Sequence, residues 1–357
     1  MTARQASRKW SVRSYAPGDD ERVAHLYEEV YGQPMPIERY RWKLLEMPWS
    51  LSAPNVWVAD AGQRLVGHYA ATPLRFKLGN EVLTVGHTGD AMTHPDFRRQ
   101  GVFSAVAQTA HKAWATAGVP FMVGVPNDQW ISRRAPLGYT EQFKLVWFRR
   151  PLRLDRLLAR RYRLPSLLRR VVTLTGRAWN ALWKVPLGRA GEVLVSSVSR
   201  PGPAFDALWQ ELKGHYQALY VRDRAWLTYR YGQAPGYDYH ILLAQRSGHP
   251  AGYLVYRLTG RNAHIVAWIA DLFTAPGDKV ARTALLRTAM EAMVAAGAGT
   301  VHVLLSPQAL LVSTLRRAGF WRARGEFDAS LVRLEQPLPD LSRPEVWFTM
   351  TGDYDIV

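Results

Sequence analysis

From Asp90 to Ser104 the sequence reads Asp-Ala-Met-Thr-His-Pro-Asp-Phe-Arg-Arg-Gln-Gly-Val-Phe-Ser: an extended segment, a basic turn with one glycine, then a helix start. The first N–H groups of a helix lack intrahelical partners and carry partial positive charge. Gly101 lets a bulky anion approach the main chain, Arg98 and Arg99 add full charges, and Gln100 adds a neutral donor. Residue types in this order suit a phosphate or pyrophosphate group. Two neighbours could move protons. His87 lies in the extended segment, and imidazole titrates near neutrality. Asp90 is the second candidate base. An ordinary strand histidine and a structural carboxylate are the competing readings. His94, just before Pro95, could face the same phosphate. The remaining histidines show no metal-ligand spacing, so no metal is expected. The chain has no cysteine, which excludes disulfides, thiolate metal ligands and a cysteine nucleophile.

The elements that must position these groups follow from periodicity. A strand over Ser11–Tyr15 leads to a helix with Val23, Leu26, Tyr27 and Val30 at helical spacing. Strands are predicted at Val56–Ala59, Arg64–Ala71 and Val82–Thr93. A helix over Val102–Ala117 stops at Gly118, a favoured terminator. A buried strand, Pro120–Val125, follows, then a short helix leading to Gly138-Tyr139 and a last strand. Alternation of strands and helices implies a mixed sheet covered by helices.

The chain also repeats itself. At a separation of 181 residues, Asp90, Pro95, Gly118, Pro126, Gly138 and Tyr139 become Asp271, Pro276, Gly299, Pro307, Gly319 and Phe320. Upstream the offset is 184–185: Pro17-Gly18 returns as Pro201-Gly202, Glu38-Arg39 as Asp223-Arg224, and Gly67 as Gly252. A hairpin four residues shorter in the second copy accounts for the change. The turn itself does not survive. Arg98-Arg99-Gln100-Gly101 becomes Lys279-Val280-Ala281-Arg282 beside Asp278, so an arginine side chain replaces the glycine and a carboxylate sits near the phosphate position. No cofactor is expected in the second copy.

The first copy resembles the GNAT superfamily of N-acetyltransferases, whose signature is Arg/Gln-x-x-Gly-x-Gly/Ala. Arg98, Gly101 and Phe103 take the three defined places, Phe103 departing from the small residue expected there. Pro120–Val125, Asn127 and Leu137-Gly138-Tyr139 are similar to the family's fifth strand, its asparagine and its closing Leu-Gly-aromatic element. The resemblance covers residues 11–150 and, through the repeat, extends to 193–335 as fold only. It implies an α/β (α+β) protein of two tandem domains, each a mixed, mostly antiparallel sheet flanked by helices. It implies acetyl-CoA as cosubstrate, with the thioester in a gap where the fourth and fifth strands splay. Met92 and Thr93 should then give backbone groups to the pantetheine arm. Arg98, Arg99, Gln100, Gly101, Val102, Phe103 and Ser104 should hold the pyrophosphate, with Asn127 near the cofactor. The tyrosine that the family often places seven residues after the asparagine, as proton donor, is Arg134 here. Tyr139 reads as packing, because its counterpart is Phe320. The activity implied is direct acetyl transfer to a primary amine of a small molecule, an amino sugar among the candidates, without a covalent enzyme intermediate. An aminoacyl- or other acyltransferase of the related tandem fold and a non-catalytic CoA-binding protein are the competing readings.

The expected organisation is a GNAT domain at 1–150, a basic helical connector at 151–192 and a degenerate GNAT-like domain at 193–357. Net charge is +17, and 38 of the 46 basic residues are arginine. Residues 151–200 hold ten Arg and one Lys against Asp155 and Glu192, over half the excess. Such a segment can be a solvated spacer or a peripheral contact with an anionic membrane; no zinc-finger or RNA-recognition motif supports nucleic acid. No apolar run approaches the about 20 residues of a bilayer span, and a cytoplasmic location is expected. Arg224, Trp226, Tyr229 and Arg230 could line a groove for sugars.

Overall fold

A computed structural model describes residues 9–125, 135–153, 174, 193–260, 265–307, 309–334 and 339–354. The chain separates into two units. One comprises Met1–Phe76, Glu81–Gln142 and Asp328–Ser342; the other comprises Lys77–Asn80, Phe143–Phe327 and Arg343–Val357. Each is a mixed α/β assembly with a mostly antiparallel sheet flanked by helices.

The first unit contains β1 (Ser11–Ser14), α1 (Asp19–Tyr31), α2 (Ile37–Leu44), β2 (Val56–Asp60), β3 (Leu65–Leu78), β4 (Glu81–Thr93), α3 (Val102–Thr116) and β5 (Phe121–Gly124). β3 runs on to Leu78 rather than ending at Ala71, because Leu74 and Phe76 continue its buried pattern. β1, β2 and β3 pair antiparallel in succession, and β4 runs parallel to β5. Helices cover both faces. Val102, Val106, Ala107, Ala110 and Trp114 form the apolar stripe of α3 and pack on Val66, Tyr69, Ala71 and Met122. On the opposite face, Val23 and Leu26 of α1 and Tyr40 and Leu44 of α2 pack on Val56, Val58, Ala70 and Met92. Alternation along β3 therefore sends Tyr69 to α3 and His68 and Ala70 to α2. Gly67 sets the height of α3 on the sheet: a Cβ there would lie 2.5 Å from Val102 Cγ1. The α1 start is fixed by charge. Asp19 accepts from the Arg13 guanidinium and the Ala16 N–H, and the Asp60 carboxyl, hydrogen-bonded to Arg22 and Arg13, is held down at about 2.

The second unit contains β6 (Thr140–Pro151), β7 (Leu194–Val198), α4 (Pro203–Leu212), β8 (Ala218–Tyr220), α5 (Arg224–Leu227), β9 (Tyr239–Arg246), β10 (His249–Thr259), β11 (Val266–Thr274), α6 (Lys279–Ala295), β12 (Thr300–Leu305) and α7 (Ala309–Arg317). Then come β13 (Trp321–Arg333), whose end belongs to the first unit, and β14 (Trp347–Phe348). From β7 to β12 the order of strands and helices is similar to that from β1 to β5, with β8 inserted between the first two helices. β7, β9, β10 and β11 pair antiparallel in succession and β11 pairs parallel with β12.

The last strand of each sheet breaks sequence order. β5 pairs antiparallel with the end of β13, Phe121–Gly124 against Ser330–Arg333. β12 pairs antiparallel with β6, Thr300–Leu305 against Val146–Pro151. The units are therefore not contiguous, unlike the expected division at 150 and 193. Each sheet is completed by a strand that lies far away in the chain. The basic connector at 151–192 lies almost wholly outside the described residues, Arg160, Arg161, Arg163, Arg169 and Arg170 included.

Candidate functional site

A turn and a helix start follow β4, as the sequence pattern implied. After β4 a 3-10 turn spans Pro95–Phe97, Arg99 and Gly101 take left-handed φ of 62° and 77°, and α3 begins with Gly101 as its N-cap and no side-chain cap. A Cβ on Gly101 would meet nothing within 4 Å, so the glycine serves its backbone conformation and leaves the helix start open. Arg98, Arg99, Gln100, Gly101 and Ser104 are exposed, and Val102 is buried against β3. Three expectations change. Gln100 Nε2 donates to the Asp96 carbonyl at 2.8 Å, so this side chain braces the turn rather than offering its amide outward. His94 is buried: its Nδ1 accepts from the Asp96 N–H and its Nε2 lies 3.0 Å from Glu29 on α1, so it ties the turn to a helix instead of facing an anion. Phe103 packs edge-on against Tyr69, which is why a large residue is accommodated in the signature. Asn127 and Arg134 lie outside the described residues.

Beside the turn, β4 and β5 pair at Gly86–Met122 and His87–Val123 among the described residues. Gly86 permits that contact, since a Cβ would lie 2.1 Å from Met122 Cε. β4 continues through Met92 to Thr93, while the chain after Val125 lies outside the described residues. The Met92 side chain fills the core under α1 and α2. His87 is half-buried. Asp90 takes a left-handed φ of 51°, and its carboxylate pairs with Lys43 Nζ at 2.7 Å.

Two buried polar arrays lie on the two faces of this sheet, and the sequence pointed to neither. On the α2 side, His68 Nδ1 lies 2.6 Å from the Asp90 carbonyl oxygen and its Nε2 lies 3.0 Å from the Tyr40 hydroxyl. Burial holds this imidazole below its ordinary pKa, against the Asp90 carbonyl, which favours the charged form. On the α3 side, Thr88, Tyr139, Tyr69 and His111 join in a chain. Thr88 Oγ1 lies 3.2 Å from the Val123 carbonyl and 2.9 Å from the Tyr139 hydroxyl. The Tyr139 and Tyr69 hydroxyls are 3.1 Å apart, and Tyr69 lies 3.1 Å from His111 Nε2. Burial pushes the Tyr69 hydroxyl up to about 12 and the His111 imidazole down to about 4. Tyr139, read as packing, is thus a hydrogen-bonded member of the site wall. The available signal was polar residues at inward positions of strands that are otherwise apolar.

The matching place in the second unit is closed. Asp278 caps α6, its carboxylate accepting from the Ala281 N–H at 2.9 Å and pairing with Arg246. Arg282, 4% exposed, donates to the carbonyls of Ala275 and Pro276 and approaches the hydroxyls of Thr274 and Thr314. It fills the turn with its own guanidinium. Trp226, Tyr229 and Arg230 are packed in this unit's interior, Arg230 donating to the Gly352 carbonyl, so they do not offer an open aromatic groove. Among the described residues, no group of three or more His, Asp or Glu is placed to hold a metal ion. No described helix is long and apolar enough to cross a membrane.

The comparisons agree with this geometry. Residues 11–140 match the family model described as an acetyltransferase (GNAT) domain. No curated protein sequence matches the chain. Among solved structures, a GCN5-related N-acetyltransferase from Anabaena variabilis superposes with a TM-score of 0.65 at 14% identity, covering 91% of this chain and 73% of that one. A conserved protein of unknown function from Enterococcus faecalis gives 0.64 at 14%, covering 90% and 72%. A GCN5-related N-acetyltransferase from Kribbella flavida gives 0.60 at 15%, covering 92% and 72%. These likenesses are of fold. The stretch with the open helix start lies within the stretch that the family model matches: the chain carries a GNAT acetyltransferase domain at residues 11–140.

Proposed function

We propose that the chain is an acetyl-CoA-dependent N-acetyltransferase acting on the primary amine of a small molecule, with one working site, in the first unit. The observation that carries the reading is the contrast between two helix starts. At α3 a glycine cap leaves the N–H groups open beside two exposed arginines; at α6 a carboxylate and a buried guanidinium occupy the same place. The donor set fits a pyrophosphate: first-turn N–H groups, Gly101, Arg98 and Arg99. The second unit is read as a degenerate copy of the first, retained as scaffold.

When bound, acetyl-CoA supplies an acyl group as a thioester: the acceptor nitrogen gains the N–C bond as the C–S bond breaks, the amine gives up a proton and the sulfur takes one. This chain's residues would do the rest. Arg98, Arg99 and the α3 start hold the phosphates. The edge of β4 at Met92 and Thr93 orients the arm. His87 is the proposed base, since Asp90 is already engaged with Lys43. Amino sugars belong in the acceptor panel beside other small amines. Contact of segment 151–200 with an anionic membrane is a separate proposal, tested by co-sedimentation with anionic and neutral vesicles.

Calorimetry with acetyl-CoA tests the reading. One site per chain is expected; two comparable sites, or none, would sink it.

A further inference from the structure

In the second unit the parallel pair β11–β12 runs from Val266–Thr300 to Trp268–His302 and then stops. Both strands continue, β11 to Thr274 and β12 to Leu305. They part beside a bulge. Val255 of β10 faces Asp271 while its neighbour Tyr256 faces Ile269, so Ala270 is the extra residue. Successive residues of a strand direct their main-chain groups to opposite edges. β6 lies along one edge of β12 as far as Leu305–Val146. Main-chain groups of β12 that bond to other partners therefore face the edge that β11 has left.

Segment Trp347–Tyr354 fills that edge. The Ser306 N–H donates to the Thr349 carbonyl at 3.0 Å, and Met350 forms an antiparallel bridge with Leu305. The Thr351 hydroxyl accepts from the Leu304 N–H at 2.8 Å and donates to the Leu304 carbonyl at 3.1 Å. One side chain thus does what a paired strand residue would do. On the β11 side Gly352 lies against the bulge. A Cβ there would be 3.0 Å from the Ala270 carbonyl oxygen and 2.1 Å from the Tyr231 hydroxyl, so only glycine fits. Asp353 pairs with Arg222, which Asp271 of β11 also holds. Residues 347–354 are all buried. The segment satisfies buried main-chain groups that the parting of β11 and β12 leaves open.

By the repeat, β11 and β12 are the counterparts of β4 and β5, with Asp271 matching Asp90 and Pro307 matching Pro126. The slot that the segment fills is the counterpart of the one read, in the first unit, as holding the thioester arm. A cavity of about 30 Å³ is lined by Leu272, Thr274, Arg282, Leu311 and Phe348, room for roughly two waters. Arg282 borders it from the α6 start and Phe348 from the segment.

We propose that segment Trp347–Asp353 is a built-in pseudo-ligand: it occupies the acyl-arm slot of the second unit and closes that unit to acyl-CoA independently of Arg282. This rests on the acetyl-CoA reading above and on the second unit being a degenerate copy. An extended peptide suits such a slot because it offers amide donors and acceptors to a free strand edge. Repair of the turn alone then cannot restore a cofactor to this unit.

Stoichiometry gives the first test. Asp278→Ala with Arg282→Gly reopens the α6 start, and calorimetry should still find one acetyl-CoA per chain, as in the wild type. Two sites would overturn the proposal, because the slot would have been free. The second test needs no cofactor and decides alone if the double variant does not fold. A protease site inserted between the exposed Ser342 and Arg343 lets the folded full chain be cut with its segment in place. Free peptide 343–357 should then raise the unfolding midpoint of the cut protein by mass action. The same peptide with Thr351→Val loses both hydrogen bonds to Leu304 and should bind about tenfold more weakly. With Gly352→Val it should give no rise. No rise with the wild-type peptide, or equal rises with all three, would overturn this inference and leave the acetyl-CoA reading standing. A wild type that binds no acetyl-CoA would overturn both.

Discussion

The Tyr69 hydroxyl lies 3.1 Å from His111 Nε2, and this contact joins β3 directly to α3. An imidazole pushed down to about 4 by burial is neutral under ordinary conditions and can accept from a tyrosine. The sign of its pH dependence follows. The folded state holds His111 below its unfolded value of 6.5, so the unfolded state binds the extra proton between about 6.5 and 4. Stability from this group is complete above about 6.5 and is lost as pH falls towards 4. Wild type should therefore lose denaturation midpoint between pH 7 and pH 4.5 more steeply than His111→Gln. Parallel curves for the two proteins would show that the imidazole is not the sensor.

Gly101 is needed for its backbone rather than for space. Gly101→Ala should cost about 1–2 kcal/mol through the left-handed φ alone, and a longer side chain also stands over the helix start. Acetyl-CoA affinity should fall by roughly tenfold for Gly101→Ala and disappear in calorimetry for Gly101→Leu. Arg282→Ala, in the second unit, should change stability but leave the affinity as it was. Undiminished binding by Gly101→Leu would remove α3 from the site.

How much of this was legible in the sequence depends on how local each signal was. The end of β4, Gly101 and the start of α3 could be read because strand periodicity, a basic turn and a helix face follow one another within a few residues. The closed second turn could be read from Arg282 and Asp278 by the same logic. The Gln100 contact was also local, a side chain reaching the carbonyl four residues back, but it competed with an outward role that used the same amide. His68 could not be placed. Its function is a side-chain to main-chain contact across two strands, and a histidine in an apolar strand carries no mark of what it will touch. The exchange of last strands was invisible for a related reason: β6 and β13 carry strand patterns, and a period of two does not say which edge a strand will join.

A buried carboxylate of the second unit, Asp353, gives a pH dependence of opposite sign. Arg222, 0% exposed, is shared by Asp271 and Asp353 at 3.1 Å and 2.5 Å. Burial pushes the Asp353 carboxyl up to about 6, against the attraction of Arg222 and with the help of Asp271, and its Oδ1 has no hydrogen-bond partner. The folded state thus binds a proton more tightly than the unfolded one. Stability from this group is greatest below about 4 and declines as pH rises to about 6. Subtracting the stability of Asp353→Asn from that of wild type at each pH isolates the effect. The difference should fall between pH 4 and pH 6 and stay flat above. A difference that rises over that window would mean that Arg222 dominates and the carboxylate is ionised throughout.

The pairing of β5 with residues 330–333 makes a further prediction about where the acetyltransferase domain ends. A fragment of residues 1–150 contains the whole stretch that the family matches, yet it lacks the strand that closes the β5 edge. In the full chain Phe121, Met122 and Val123 are buried, and Leu331 and Val332 bury with them. Removing the partner leaves a row of unpaired N–H and C=O groups, each net hydrogen bond worth about 1 kcal/mol. It also uncovers apolar side chains worth about 1.5–3 kcal/mol apiece when buried. Together these losses are comparable with the 5–15 kcal/mol that stabilise a typical domain. An uncovered apolar edge also invites pairing between copies. The fragment should therefore aggregate and show no acetyl-CoA-dependent rise in midpoint. Residues 328–342 appended to it through a flexible glycine–serine linker should restore a monomer that unfolds cooperatively and responds to acetyl-CoA. A control tail carrying Leu331→Asp and Val332→Asp should fail to do so. Should the 1–150 fragment alone prove monomeric and cooperative, the borrowed strand is dispensable and the domain closes its own sheet.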